Sequence, residues 1–172
     1  MLDRAIRIAV RCHARQVRKH VLNGHRLPYI VHPIEVMKTV WTWGAGESNL
    51  LAAAVLHDVL EDSPITVKQL TKSFGEEIAG IVKELTFDRK SDGDKRDYLG
   101  RFATASLPAL VVKLADRYCN LRDCQATDPV RLESYRAKSE VLIAITSRRL
   151  PEISKRFGES VARAVVTAFA ER

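Results

Sequence analysis

A run of titratable side chains closes an otherwise apolar stretch of the sequence. His57 and Asp58 follow the apolar residues 50–56, and Glu61 and Asp62 come one helical turn later. Helical spacing places His57 over Glu61 and Asp58 over Asp62. Charges that are withdrawn from water are normally retained only when they are paired or bound to a metal. The run therefore predicts a metal or catalytic site, with a set of paired core polar groups as the structural alternative.

Two further residues of metal-binding type stand elsewhere in the chain. His32 lies at the predicted start of a helix, where a capping or core histidine is the simpler interpretation when it is taken alone. Asp116 lies in an apolar helix with Lys113 on its face, so an ion pair with Lys113 is an equal alternative. Two imidazoles and two carboxylates together suit manganese, iron or zinc better than calcium. The predicted metal ligands are His32, His57, Asp58 and Asp116.

The elements that must position these residues are predicted to be helices. Nearly every segment has helical period, and no run alternates for long enough to predict a half-buried strand. The predicted fold is all-α, a compact multi-helix bundle, and 172 residues with 46% hydrophobic content suffice for one domain over residues 1–172. The predicted helices cover 2–19, 33–43, 48–62, 66–74, a stretch ending near 86, 95–106, 109–124, 130–149 and 152–170, with a candidate break at Gly158 and a mobile polar loop at 87–94.

The charge balance favours anionic partners without choosing among them. The formal net charge is +7 and the pI is about 9.5, which attracts nucleic acid, anionic membrane and phosphorylated small molecules alike. The basic residues are scattered and lack interleaved aromatics, so no nucleic acid partner is expected. No signal pattern and no apolar run of roughly 20 residues is present, so we expect a cytoplasmic protein without membrane contact. The three cysteines show no metal-type spacing and are expected to be reduced thiols.

The order of the four predicted ligands resembles the HD superfamily of phosphohydrolases, whose ligands are a distant His, an adjacent His-Asp pair and a later Asp. The resemblance narrows to the alarmone hydrolase domain of RelA/SpoT proteins, and the small Mesh-type alarmone hydrolases are the closest in length. It covers about residues 5–150. The segments that carry it are Arg18-Lys19, Pro28-Tyr29-Ile30-Val31-His32-Pro33, Leu56-His57-Asp58-Val59-Leu60-Glu61-Asp62, Lys113-Leu114-Ala115-Asp116-Arg117 and Asn120-Leu121.

This resemblance implies removal of the 3′-pyrophosphate from guanosine tetra- or pentaphosphate (ppGpp or pppGpp). One Mn²⁺ ion is the implied cofactor, although other transition metals suit the same four ligands, and Glu61 and Asp62 match the catalytic pair of the family. The expected partner is a small guanine nucleotide, and a homo-oligomer is left open. The implied substrate contacts are Arg18, Lys19 and Asn120 around the nucleoside and Arg136 near the phosphates, with Lys95 as a further counterpart.

The residues themselves indicate how such a reaction would proceed. A metal on four protein ligands, with one position left for water, would lower the pKa of that water and polarise a phosphoryl oxygen. Glu61 and Asp62 could orient or deprotonate the water or protonate the leaving group, which is typically worth about 10² to 10⁴-fold in rate. The positive field that a polyphosphate requires would come from Lys19, Lys113, Arg117 and Arg136.

Two other functions stay open on the sequence. One is an HD phosphohydrolase that acts on another nucleotide, such as a nucleoside monophosphate or a phosphorylated dinucleotide. The other is a nucleotide- or RNA-binding module without turnover, against which the intact Glu61 and Asp62 argue. The chain departs from the family pattern in the longer segment 20–27 and in Arg15, which adjoin the expected base-binding edge, and near Glu140. These departures bear on guanine specificity more than on the metal site.

Overall fold

The structure, a computed structural model, describes residues 1–22, 25–88 and 92–170 of the chain. It confirms the all-α fold, because helices form most of the regular structure in these ranges. A two-stranded hairpin, β1 (Val17–Leu22) and β2 (His25–Pro28), follows the first helix. The helices are α1 (Leu2–Cys12), α2 (Val31–Thr42), α3 (Ser48–Leu56), α4 (Val59–Asp62), α5 (Val67–Phe74), α6 (Glu76–Leu85), α7 (Lys95–Gly100), a 3₁₀ turn (Arg101–Ala103), α8 (Leu107–Thr127), α9 (Pro129–Phe157) and α10 (Glu159–Ala170).

The helix that precedes the first titratable pair lies at the centre of the core. α3 is apolar on nearly every side, and residues 52–56 are fully buried. It packs against α1, α2, α6 and α8. Each fully buried leucine or valine stabilises the fold by roughly 1.5–3 kcal/mol relative to an exposed one. Polar groups at the end of α3 are therefore held in a close-packed frame that leaves their positions little freedom.

α3 does not continue to residue 62, and the prediction of one helix over 48–62 was wrong on this point. Asp58 adopts φ −99° and ψ −4° and caps the one-turn α4. The Asp62 amide donates to the Asp58 carbonyl at 2.9 Å, which closes this turn. Successive side chains of a straight helix diverge by about 100°. At this break the neighbouring side chains meet instead, with His57 Nε2 and Asp58 Oδ2 3.0 Å apart.

The first helix is also shorter than predicted, since α1 ends at Cys12 rather than near residue 19. The chain then forms the hairpin, in which Val17 pairs with Pro28 and Leu22 with His25. A short, basic hairpin carries too little apolar alternation to be distinguished from helix. Asn23-Gly24, a dipeptide that indicates a turn in the sequence, lies outside the described residues, as do the side chains of residues 19–22.

α9 continues through Pro151, although the sequence predicted separate helices on either side of it. A proline inside a helix costs about 3 kcal/mol or more, because it removes a hydrogen bond and crowds the preceding turn. Packing offsets this cost, since the Arg149 side chain donates to the carbonyls of Phe102 and Ala105 at 3.1 and 2.6 Å. The chain then breaks at Gly158, as predicted, where a φ of 95° favours glycine.

Local signals located the start and the end of the smaller helices. Thr66 and Gln69, whose spacing in the sequence is typical of a capping box, form one at the start of α5, and Gly75, with a φ of 84°, ends that helix. α7 is shorter than predicted and passes into the 3₁₀ turn, whereas α8 is longer and reaches Thr127. Among the described residues, no helix has both the length and the apolarity to cross a membrane.

Candidate metal centre

Four elements bring the predicted ligands together in the interior. His32 lies in the first turn of α2, His57 follows α3, Asp58 caps α4, and Asp116 lies midway along α8. His32, His57 and Asp116 are only 2%, 3% and 6% exposed. His32 Nε2 lies 3.1 Å from Asp116 Oδ1 and 4.0 Å from Asp58 Oδ2, while His57 Nε2 lies 3.0 Å from Asp58 Oδ2 and 3.9 Å from Asp116 Oδ1. These atoms surround a space that suits one ion.

The hydrogen bonding of His57 fits a metal ligand. Its Nδ1 donates to the Ala54 carbonyl at 2.8 Å, which directs the Nε2 lone pair toward the carboxylates. Nε2 is buried and has no hydrogen-bond partner among the described residues. A buried nitrogen without a partner is uncommon, and a second ring nitrogen fixed by a backbone carbonyl is typical of metal-binding histidines. Ligand atoms of His32, His57 and Asp58 lie within 4.8 Å of one another, and Asp116 Oδ1 lies 3.1 Å from His32 Nε2. Two nitrogens and two oxygens fit a divalent transition metal.

Charges around the two carboxylates keep them ionised. Burial opposes ionisation of Asp116, but Lys113, whose Nζ donates to Oδ2 at 2.8 Å, and the two histidines hold the pKa of Asp116 well below its usual range. Burial likewise opposes ionisation of Asp58, but His57 and His32 lower its pKa. Burial disfavours a proton on His57, yet the two carboxylates raise its pKa to about 9. A bound cation would take the place of that proton.

Asn120 and a residue that the sequence left without a role, Tyr29, orient these ligands. Asn120 Nδ2 donates to Asp116 Oδ1 at 2.5 Å and to the Asp116 carbonyl at 3.0 Å, so its amide nitrogen is directed to the candidate ligand. The Tyr29 hydroxyl donates to Asp58 Oδ2 at 2.6 Å. Burial and the nearby charge of Asp58 raise the pKa of Tyr29, so it keeps this proton. In the sequence, only the position of Tyr29 three residues before His32 could have indicated that it contacts a candidate ligand.

A cavity of about 530 Å³ opens over the candidate ligands. Glu61 and Asp62 line it, and the Glu61 carboxylate accepts from the Phe87 amide at 3.2 Å. Burial, with the negative charge of Asp58, raises the pKa of the Asp62 carboxyl above its usual value. The two members of the expected catalytic pair therefore have different surroundings, and Asp62 keeps its proton to a higher pH than an ordinary aspartic acid.

The predicted substrate contacts divide into residues that line this cavity and one that does not. Arg18, Lys113, Arg117 and Asn120 line it. Arg136 does not, and its nearest acidic partner is Glu133 at 4.0 Å. The assignment of Arg136 to phosphate binding therefore finds no support in the geometry. The side chains of Lys19 and Lys95 lie outside the described residues.

α9 presents a different face to the cavity than the one expected. Its lining residues recur at the spacing of one helix face, and Arg136 lies one position beyond Tyr135, off that face. The spacing was readable in the sequence, but the side of α9 that faces α8 was not. The lining residues of α9 are Arg131, Ser134, Tyr135 and Lys138.

Two arginines of the cavity already have partners in the structure. Arg18 is buried and forms an ion pair with Asp123 of α8, and its guanidinium lies 5.8 Å from the centre of the Tyr29 ring. The Arg117 guanidinium lies 4.9 Å from the centre of the Tyr135 ring, and its buried Nε has no hydrogen-bond partner among the described residues. Arg18 is thus partly neutralised, whereas Arg117 keeps a free donor.

Comparison with known proteins agrees with this geometry. The model of the HD domain family matches residues 5–148. A probable guanosine-3′,5′-bis(diphosphate) 3′-pyrophosphohydrolase of Synechocystis is 32% identical over 87% of this chain and 20% of that protein. The guanosine-3′,5′-bis(diphosphate) 3′-pyrophosphohydrolase MESH1 of Drosophila melanogaster is 36% identical over 68% of this chain and 65% of that protein. The chain thus spans less than two thirds of the length of either relative.

A solved structure has the same fold. It is that of a metazoan ortholog of SpoT that hydrolyses ppGpp. The two structures superpose over 99% of this chain and 94% of that protein's chain, with a TM-score of 0.80. At 24% identity, this likeness concerns the fold alone. The family is established by the sequence match over most of the chain. MESH1 of Homo sapiens is 34% identical over 76% of this chain and 73% of that protein, and the chain belongs to the HD domain family, in the group that includes the Mesh-type proteins.

Proposed function

We propose that this protein hydrolyses the 3′-pyrophosphate ester of ppGpp and pppGpp, releasing pyrophosphate with GDP or GTP. The observation that carries the proposal is one cavity lined by three of the candidate ligands, His32, Asp58 and Asp116, by Glu61 and Asp62, and by basic side chains of α8 and α9. A phosphohydrolase needs these three parts together. The names of the relatives in Synechocystis and Drosophila support the choice of substrate.

His32, His57, Asp58 and Asp116 would hold one divalent cation, for which we propose Mn²⁺. Such an ion supplies Lewis acidity, which lowers the pKa of water and withdraws charge from a phosphoryl oxygen. The mixed nitrogen and oxygen donors suit Mn²⁺, and Fe²⁺ or Zn²⁺ would fit the same residues. Measuring activity with each metal in turn decides among them.

The two acidic residues take different parts in the proposed reaction. Glu61, fixed by the Phe87 amide, accepts a proton from the attacking water, whose oxygen bonds to phosphorus. Asp62, whose pKa is raised by burial and by Asp58, donates a proton to the ribose 3′ oxygen as the bond from that oxygen to phosphorus breaks. One water molecule is consumed, and the protons balance between the two carboxyl groups.

Three basic side chains are best placed to bind the phosphates. Lys113 is neutralised by Asp116, whereas Arg117, Arg131 and Lys138 line the cavity and have no acidic partner within 4.0 Å in the described ranges. Fixed positive charge that needs no reorganisation is the most effective way to stabilise phosphoryl transfer.

Contacts of Arg18, Lys19 and Asn120 with the nucleoside stay predictions, as do the cytoplasmic location, the single domain over 1–172 and a homo-oligomer.

Incubation of the purified, Mn²⁺-loaded protein with a nucleotide panel tests the proposal. The panel contains ppGpp, pppGpp, nucleoside monophosphates and a phosphorylated dinucleotide, and we expect pyrophosphate from the first two. Survival of both guanosine polyphosphates while another nucleotide is consumed would overturn the substrate assignment. Asp58→Ala should lose activity and metal while keeping its helicity, and an active, metal-free variant would contradict the site.

A further inference from the structure

A buried histidine and a glutamine connect α1 to the turn that carries the acidic pair. His13 is 2% exposed and lies at the C-terminal end of α1. Its Nδ1 lies 2.6 Å from Gln16 Oε1, and Gln16 Nε2 donates to the main-chain carbonyl of Asp62 at 3.1 Å. The main-chain amide of Gln16 also donates to the His13 carbonyl at 3.0 Å, which fixes the two residues relative to each other. A continuous chain of hydrogen bonds therefore runs from His13 to Asp62.

Only one placement of the hydrogen atoms satisfies the two hydrogen bonds that link His13, Gln16 and Asp62. The Asp62 carbonyl accepts, so Gln16 must present its amide nitrogen there and its Oε1 to His13. Oε1 cannot donate, so Nδ1 of His13 carries the hydrogen. The remaining Nε2 of His13 is buried without a hydrogen-bond partner in the described residues, so the loss of its hydration is not compensated. An apolar ring would avoid that cost, so the useful property of His13 is its Nδ1–H donor.

The same pair holds the end of the acidic turn in place. The last carbonyls of a helix lack partners within it, and Gln16 supplies a donor to the one at Asp62. His13 Nδ1 lies 4.0 Å from Asp62 Oδ2. The His13 ring also lies against Tyr29, with ring centres 4.8 Å apart, and Tyr29 donates to Asp58. Asp62 is thus contacted by two residues, His13 and Gln16, that do not line the cavity.

We propose that His13 and Gln16 are positioning residues for Asp62. The Nδ1–H of His13 orients the Gln16 amide, and that amide fixes the position of Asp62 relative to the metal ligands. The inference rests on the proposed function, in which Asp62 transfers a proton. A shift of about 1 Å in a catalytic geometry can cost about 10²-fold in rate. Neither residue lines the cavity, so the loss should fall on kcat, with KM and Mn²⁺ affinity retained.

Gln16→Ala tests this proposal in two backgrounds. In the otherwise native protein, kcat should fall about 10- to 100-fold, with KM unchanged. In an Asp62→Asn background, the same change should alter kcat by less than about twofold, because residues that act as one unit have non-additive effects. Gln125→Ala, at an exposed position on α8, is the matched control and should keep native rates. Equal proportional losses in both backgrounds would indicate general damage and overturn the proposal.

A series at His13 separates hydrogen bonding from packing. His13→Asn places an amide nitrogen near the position of Nδ1 and should keep kcat within about threefold of the native value. His13→Phe keeps a ring against Tyr29 but cannot donate to Gln16, so it should lose as much kcat as Gln16→Ala. A packing role predicts the reverse order, and that order would contradict the proposal.

Crystal structures of the variants make the test independent of the substrate. In Gln16→Ala and His13→Phe, the Asp62 carboxylate should move by about 1 Å or become disordered, while the four ligands stay in place. Gln16→Glu, which keeps the acceptor for His13 but loses the donor to Asp62, replaces any variant that does not fold. An unmoved Asp62 would refute the proposal. If the native protein leaves ppGpp intact, only the proposed function is overturned. The crystal structures of the variants still test whether His13 and Gln16 position Asp62.

Discussion

Replacing Tyr29 with phenylalanine should weaken metal binding and leave the fold intact. The change removes the hydroxyl that donates to Asp58 at 2.6 Å and keeps the ring that packs between His13 and His32. A hydrogen bond to a charged group contributes about 1.5–3 kcal/mol, and about 1.4 kcal/mol corresponds to tenfold in affinity. Loss of an interaction that orients a ligand typically costs about 10- to 100-fold in metal affinity, which agrees with this range.

Calorimetric titration of Mn²⁺ into metal-free protein measures this effect directly. Tyr118→Phe is the control, because that tyrosine packs its ring against Trp43, away from the candidate centre. The control should bind Mn²⁺ as the native protein does, while Tyr29→Phe binds at least about tenfold more weakly. Equal affinities of Tyr29→Phe and the native protein would refute the reasoning that Asp58 is a ligand oriented by this hydroxyl.

Three further predictions test the charges of the structure. Lys113→Met unpairs a buried carboxylate, which costs about 3–5 kcal/mol, so calorimetry should show a lower melting temperature that Mn²⁺ partly restores; a loss that Mn²⁺ leaves unchanged would contradict the site. A hydrogen bond from Arg156 lowers the pKa of the half-exposed Glu47. This ion pair therefore stabilises the folded protein, by at most about 1 kcal/mol, at a pH above the usual glutamate pKa. The stabilisation disappears as the pH falls through the pKa of Glu47 in the folded protein. Urea unfolding of Glu47→Gln should therefore differ from native at neutral pH and converge in acid, and a constant difference would count against it. Arg131→Ala should raise the KM for ppGpp while Arg136→Ala leaves it unchanged, and the opposite result would show that the wrong face of α9 has been assigned.

The sequence predicted the helical core and the four candidate ligands because both depend on local pattern and order. The apolar run 50–56 could only be a central helix, and α3 has that role. The ligands were individually ambiguous, and Asp116 in particular does pair with Lys113 as the alternative held. The two interpretations are compatible, because the ion pair keeps the carboxylate ionised near His32 and His57, and the metal-ligand role of Asp116 stays a prediction.

The features that the sequence did not predict depend on tertiary contacts. The break at Asp58 and the continuity of α9 through Pro151 are fixed by packing against other helices, which helical periodicity does not report. The side of α9 that faces the cavity follows from its docking on α8, which places Arg131 in the cavity lining and leaves Arg136 outside it. Asn120 was expected near the nucleoside, but the position of Asp116 one turn earlier directs its amide to the ligand.

In the proposed reaction, water attacks phosphorus in the cavity that Glu61 and Asp62 line beside the candidate metal ligands. The most direct measurement is hydrolysis of ppGpp by the Mn²⁺-loaded protein in ¹⁸O-labelled water, followed by mass spectrometry of both products. We predict equal amounts of GDP and pyrophosphate, with one ¹⁸O atom in the pyrophosphate and none in the GDP. Unchanged ppGpp, or label in the GDP, would contradict the account.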